Sequence, residues 1–297
     1  MGQDEVFLGV CQDGQGTGLL WDQPGHAGGW GLSMGSARAA RGRGVNGICR
    51  HGQGMGSVGS LGSARVTRAC KAEAEAIEKE LLEDYRFGRQ QLIEIWGHAC
   101  AVAVTKPFTG CWHCRAPAAL ALCGQEGAGG DPRGSPCPGS ALLLLGPTIF
   151  YPKRSPDPLY RDFTTQCEKM DIPFLSYLPT EVQLINDAYN AVVDAVLGAE
   201  AEAAEGREPC AAILATLKHV RIPIVSLDVP SGWDVEAGSS GGISPDVLVS
   251  LSAPKQCARR FLGRQHFVAG RFLPYDVQKK FELNPPKYPG TECVVAL

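Results

Sequence analysis

Residues 222–234 read IPIVSLDVPSGWD. Ile224, Val225 and Leu227 form a short apolar run behind Pro223, and Pro230, Ser231 and Gly232 follow it. That is the composition of a buried strand that ends in a sharp turn. Asp228 stands where the strand stops. A carboxylate at that position is costly unless it has a partner, so the stretch reads as the edge of a site as well as an element of a sheet.

The surrounding sequence repeats the pattern. AVVDAVLG (191–198), DVLVSLSA (246–253) and HFVAGRFLP (266–274) are further strand-like runs, and TIFYP (148–152) and IPFLSYL (172–178) precede them. PAALALC (117–123) reads as a short strand inside an otherwise irregular, Pro- and Gly-rich stretch at 107–146. Helical patterns lie between these runs. SPDPLYRDFTTQCEKM (155–170) opens with a Ser cap, and further helices are expected near 180–190 and at 209–219. Apolar strands alternating with helices of about ten residues predict βα units, hence a Rossmann-like α/β fold whose mostly parallel sheet is covered on both faces, a three-layer α/β/α sandwich. Ahead of them, residues 72–96 repeat apolar positions (Ile77, Leu81, Leu82, Tyr85, Leu92, Ile95) at three- and four-residue spacing. They predict a helix broken near Gly88, with a second helix at 98–106 and an apolar stripe for docking only.

In such a sheet ligands bind outside the carboxyl ends of the strands. Asp194 follows Val192 and Val193 as Asp228 follows Leu227, and Gly198 opens the loop beyond. Two strand-end carboxylates suit one shared ligand or cation, and Asp194 with the Ser231 hydroxyl suits an all-oxygen ion site. Each Asp also suits the plainer role of capping a turn. Lys255, after the third strand end, is placed to meet a phosphate, with a solvated surface lysine as the commoner alternative. His219 and His266 read as packing or surface residues.

Bulk composition excludes several classes. A net charge of −3 gives no long-range attraction to nucleic acid. No run reaches the roughly 18 apolar residues of a membrane span. The 12 cysteines are scattered through a core-rich chain and read as free thiols. Cys111 and Cys114 form a C-x-x-C, but without a second matched pair a metal site is the weaker reading. Residues 1–71 are rich in Gly, Ser and Arg, and 23–71 contain no acidic residue. They read as a disordered basic leader, with an organelle-targeting segment as the alternative. The domain is expected at 72–297.

VVDAVLG, IVSLDVPSGWDVEAG, SPDVLVSLSAPK, GRQHFVAGRFLP and the closing YPGTECV together resemble the YjeF N-terminal domain of NAD(P)H-hydrate epimerases, over about 72–297. CEKMDIPFLSYLPTEVQLI is similar to a paralogous branch of that family. The resemblance implies interconversion of the R and S forms of hydrated NADH or NADPH (NADHX and NADPHX, as substrates), with a potassium ion bound. It implies a substrate-binding and catalytic role for Asp228 and potassium ligation by Asp194 and Ser231. Ligand-side loops are implied at Gly129, Gly130 and Asp131 and at Gly198, Ala199 and Glu200. At family level it also implies apolipoprotein A-I or HDL-type partners, cholesterol efflux, lipid transport and angiogenesis. A homodimer and a cytoplasmic location with mitochondrial or non-classically secreted forms complete the expectation.

Two departures matter. The family's phosphate-side motif G-P-G-N-N-G-G-D-G-L stands here as GQEGAGGDPR (124–133), with Gly127 and Ala128 in place of both asparagines. Pro136 and Pro138 follow where a helix should start, and each costs about 3 kcal/mol inside one. The loop GAEAEAAEG (198–206) is acidic where the family carries a lysine. The expectation is therefore an interaction protein with weakened or lost epimerase chemistry, with the active epimerase as the alternative.

Overall fold

The computed structural model describes residues 66–108, 119–123, 147–197, 210–239 and 241–297. The chain divides into residues 1–59 and 60–297, and everything described belongs to the second unit. The expected leader up to residue 65, the C-x-x-C of Cys111 and Cys114, and the loops 124–146 and 198–209 lie outside the described residues.

Ten strands are described: β1 (Ala119–Cys123), β2 (Thr148–Phe150), β3 (Phe174–Leu175), β4 (Ala191–Ala195), β5 (Ile224–Leu227), β6 (Trp233–Asp234), β7 (Gly238–Ser239), β8 (Val247–Leu251), β9 (Gln265–Ala269) and β10 (Val295–Ala296). Eight form one sheet in the order β10-β9-β8-β5-β4-β1-β2-β3, and β6 and β7 form a separate hairpin. Every pairing in the large sheet is parallel except that of β10 with β9. The chain runs outward from β1 to β3 and then returns to build β4, β5, β8 and β9 on the other side. The reversal of strand order falls between β1 and β4, where Cys123 pairs with Ala195. Ligands of doubly wound sheets bind at such a switch point.

The helices are α1 (Lys71–Glu83), α2 (Arg89–Thr105), α3 (Pro158–Lys169), α4 (Val182–Ala188), α5 (Cys210–Leu217) and α6 (Tyr275–Lys280). Alternation along the strands sorts them into two layers. Val193, Val225, Leu227, Val249 and Phe267 point into one core with Leu81 of α1, Leu92 and Trp96 of α2, Phe163 of α3 and Val277 of α6. Val192, Ile224 and Phe150 point the other way, against Ile185 of α4 and Ile213, Leu214 and Leu217 of α5. The α/β/α sandwich with a mostly parallel sheet is as expected.

Three local readings are corrected. Residues 98–106 do not form a helix of their own, because α2 runs unbroken from Arg89 to Thr105. The break comes before it: Arg86 takes a left-handed conformation (φ 59°) and Gly88 is the N-cap of α2. The cap of α3 is Asp157 rather than Ser155, since the Asp157 carboxylate accepts the Leu159 N–H at 2.8 Å, with Pro158 in the first turn. Ser155 supports the cap from outside, its Oγ accepting the Asp157 N–H. Residues 66–70, on the leader side of the expected boundary at 72, are tied into the domain. Ala69 is buried, donates its N–H to Pro254 O at 2.8 Å and accepts from Gln256 N at 3.1 Å.

Candidate functional site at the carboxyl ends of β4, β5 and β8

Neighbouring strands β5 and β8 each end in a non-glycine residue with left-handed backbone, Asp228 at φ 63° and Ser252 at φ 61°. Among the described residues the other three, Arg86, Asp171 and Glu282, each follow a helix, where this conformation is routine. At a strand end it stores roughly 1–3 kcal/mol of strain, which persists only where surroundings enforce it. Here the enforcement is visible. Asp228 N donates to Val249 O at 2.7 Å, and Asp228 Oδ1 accepts from Leu251 N at 3.0 Å.

Lys255 completes that grip, its ammonium 2.6 Å from Asp228 Oδ1 and 3.0 Å from Leu251 O. It is only 4% exposed, so the expected solvated or phosphate-binding lysine is corrected to the counter-ion of Asp228. The pairing follows from the fold: a strand-end carboxylate buried beside the end of the next strand needs a neutralising cation. Asp228 Oδ2 accepts no hydrogen bond among the described residues. Burial, with the negative charge of Asp228 added, pushes up the Cys100 thiol of α2 and raises that of Cys257 to about 12. Both thiols stay protonated at neutral pH and read as packing groups.

Asp194 lies within β4, one residue short of its end, in register with Ser226 of β5. Its Oδ2 accepts from Ser226 Oγ at 2.8 Å and Ser231 N at 3.0 Å, and its Oδ1 from Ser231 Oγ at 2.6 Å and Val196 N at 3.3 Å. Burial raises its pKa, opposed by the hydrogen bonds from Ser231, Ser226 and Val196. Ser231 is held by the turn predicted at Pro230–Ser231–Gly232: Trp233 N bonds to Pro230 O at 3.0 Å, and Gly232 takes φ 81°, the left-handed position a type II turn requires. The Ser231 hydroxyl donates to Asp194 and accepts the Leu197 N–H at 3.0 Å, so one lone pair is left.

The two aspartates expected to share a ligand therefore have separate partners, Asp194 with Ser226 and Ser231, Asp228 with Lys255 and Leu251. Gly129, Gly130, Asp131, Gly198, Ala199 and Glu200 lie outside the described residues. Their strands do lead to one place, since β1 and β4 are paired up to Cys123 and Ala195. His266 is mostly buried, 2.8 Å from Ser250 Oγ, and is pulled down to about 4 by burial and the charge of Arg68, which makes it a neutral packing histidine as read. Among the described residues no three His, Cys, Asp or Glu side chains cluster as a metal site, and no helix is long and apolar enough to cross a membrane.

Beside Asp228 lies a cavity of about 20 Å³ bordered by Ile77, Glu78, Trp96, Leu251, Ser252 and Lys255. Glu78 and Trp96 lie inside the helical pattern at 72–96 but are not among its six recurring apolar positions. The available signal was a carboxylate in that pattern, since Glu78 directly follows Ile77 and stands four residues before Leu82. Ser226, the lone polar residue in the β5 run, was likewise a visible signal.

A switch-point α/β sandwich with buried carboxylates at adjoining strand ends has its candidate site where doubly wound sheets bind their ligands. The family described as YjeF-related protein N-terminus matches residues 89–257, and the chain belongs to it. It is 59% identical over 229 residues to YjeF N-terminal domain-containing 3 of Danio rerio, covering 76% of this chain and 92% of that protein. It is 61% identical over 230 residues to YjeF N-terminal domain-containing protein 3 of Homo sapiens, covering 76% of each. Among solved structures, the crystal structure of yeast ynu0 is similar with a TM-score of 0.68 at 30% identity, over 78% of this chain and 100% of that one.

Proposed function

We propose that the chain uses an epimerase-type scaffold as an interaction protein in apolipoprotein A-I-linked cholesterol efflux and lipid transport, with epimerase chemistry weak or lost. The observation that carries the second half is the closed hydrogen-bond set of Asp194. Each of its two oxygens accepts two hydrogen bonds, from Ser226, Ser231 and Val196, which fill its lone-pair sites. A potassium ion needs several oxygens, and the positions that resemble the family's asparagines hold Gly127 and Ala128, whose side chains have none. The residues present do not suit a resident potassium ion. The partner half rests on family resemblance, and the compartment that goes with it is the cytoplasm with a non-classically secreted form.

Two assays on the purified full chain test this reading. Mixed NADHX epimers in potassium buffer should equilibrate no faster than they do spontaneously, and lipoprotein-bound apolipoprotein A-I should be retained by the immobilised chain. Turnover that is lost in Asp228→Ala would overturn the loss of epimerase chemistry. Absence of retention would overturn the interaction role.

The active epimerase is the second reading. It is favoured by Asp228, whose Oδ2 accepts no hydrogen bond among the described residues at the carboxyl end of β5, where an acid or base would act. The same turnover assay decides between them.

A further inference from the structure

The cavity beside Asp228 brings together polar groups from four segments of the chain. Trp96 of α2 is 3% exposed, and its Nε1–H is buried without a hydrogen-bond partner among the described residues. Asp228 Oδ2 accepts no hydrogen bond among the described residues. Glu78 of α1 and Lys255 border the same space and are themselves buried. A buried indole N–H left unbonded costs roughly 1–3 kcal/mol. A cavity of about 20 Å³ exceeds the 10–15 Å³ or so that one water requires, and a buried water needs two to four polar neighbours. Ile77, Ala74 and Leu251 line the apolar part of the wall.

We propose that this cavity is a binding site for one water, which accepts from Trp96 Nε1–H and donates to Asp228 Oδ2. Trp96 is thereby a positioning residue for Asp228. Lys255 and Leu251 N–H fix Oδ1 from the sheet side, and the water fixes Oδ2 from the helix side, so the carboxylate is held at both oxygens. The link runs from α2, on the helical layer, to the end of β5. It holds whether the scaffold is an epimerase or a binding protein.

The test uses the full chain with 15N-labelled tryptophan. Five indole N–H signals are expected from the five tryptophans, and Trp96→Phe identifies one of them. That signal should show a direct through-space cross-peak to water with the sign of a long-lived bound molecule, as buried indoles bonded to protein groups do not. Ala74→Val, which narrows the cavity from α1, should remove the cross-peak and leave the other four signals in place. A high-resolution crystal structure should place one water within about 3.2 Å of both Trp96 Nε1 and Asp228 Oδ2. No cross-peak in the native chain, or a water bonded to Trp96 but not to Asp228, overturns the proposal.

Discussion

Lys255 and Asp228 form a buried ion pair, Nζ to Oδ1 at 2.6 Å, that joins the end of β5 to the turn after β8. Removing one member strands the other charge in the interior, which typically costs 3–5 kcal/mol, roughly. Lys255→Met should therefore lower the urea midpoint steeply, and the double variant Lys255→Met/Asp228→Leu should lower it less. A double variant no more stable than the single would show that the pair is not the source of the loss.

Ser231→Ala removes a donor to Asp194 and the acceptor of the Leu197 N–H together. Each buried group left unsatisfied costs about 1–3 kcal/mol. Hydrogen exchange at the Leu197 amide should accelerate beyond the general effect of lower stability. Unchanged protection there would contradict the assigned bond.

His266 gives a pH signature. Its folded pKa is held near 4 by burial and Arg68, against 6.5 as the ordinary value, so the unfolded chain binds the proton more readily. The contribution is present above about pH 6.5 and is lost as pH falls towards 4, a swing on the order of 3 kcal/mol. Unfolding free energy measured between pH 7 and 4 should show this slope, and His266→Gln should flatten it.

Asp157→Ala should destabilise by about 1 kcal/mol, the usual effect of losing a helix N-cap. Ser155→Ala should cost less, because Ser155 only supports the cap. Equal losses in chemical denaturation would count against Asp157 as the cap of α3.

Local composition made the sheet legible. Every strand expected on one of the apolar runs is present, including PAALALC, which is a central strand between β4 and β2 although its flanks carry no pattern. Asp228, Asp194 and Ser231 were legible because polar residues at strand ends and turns stand out against apolar runs. The partnership of Asp228 with Lys255 was not, since 27 residues separate them and only the register of β5 with β8 brings them together. Trp96 and Glu78 were hidden for a different reason: an amphipathic stripe looks the same whether it covers a core or the rim of a site. The Ser155 cap was misplaced because Ser and Asp are nearly equal as caps and Pro158 fixed the start two residues later.

The hydrogen bonds of Ala69 to Pro254 and Gln256 bracket Lys255 on both sides of its own peptide. The smallest fragment that keeps the site is therefore not the one that composition suggests. A fragment beginning at residue 72 would release the backbone that seats the lysine, while one beginning at 66 would retain it. Expression boundaries drawn at the first helix would remove part of the site along with the residues before it.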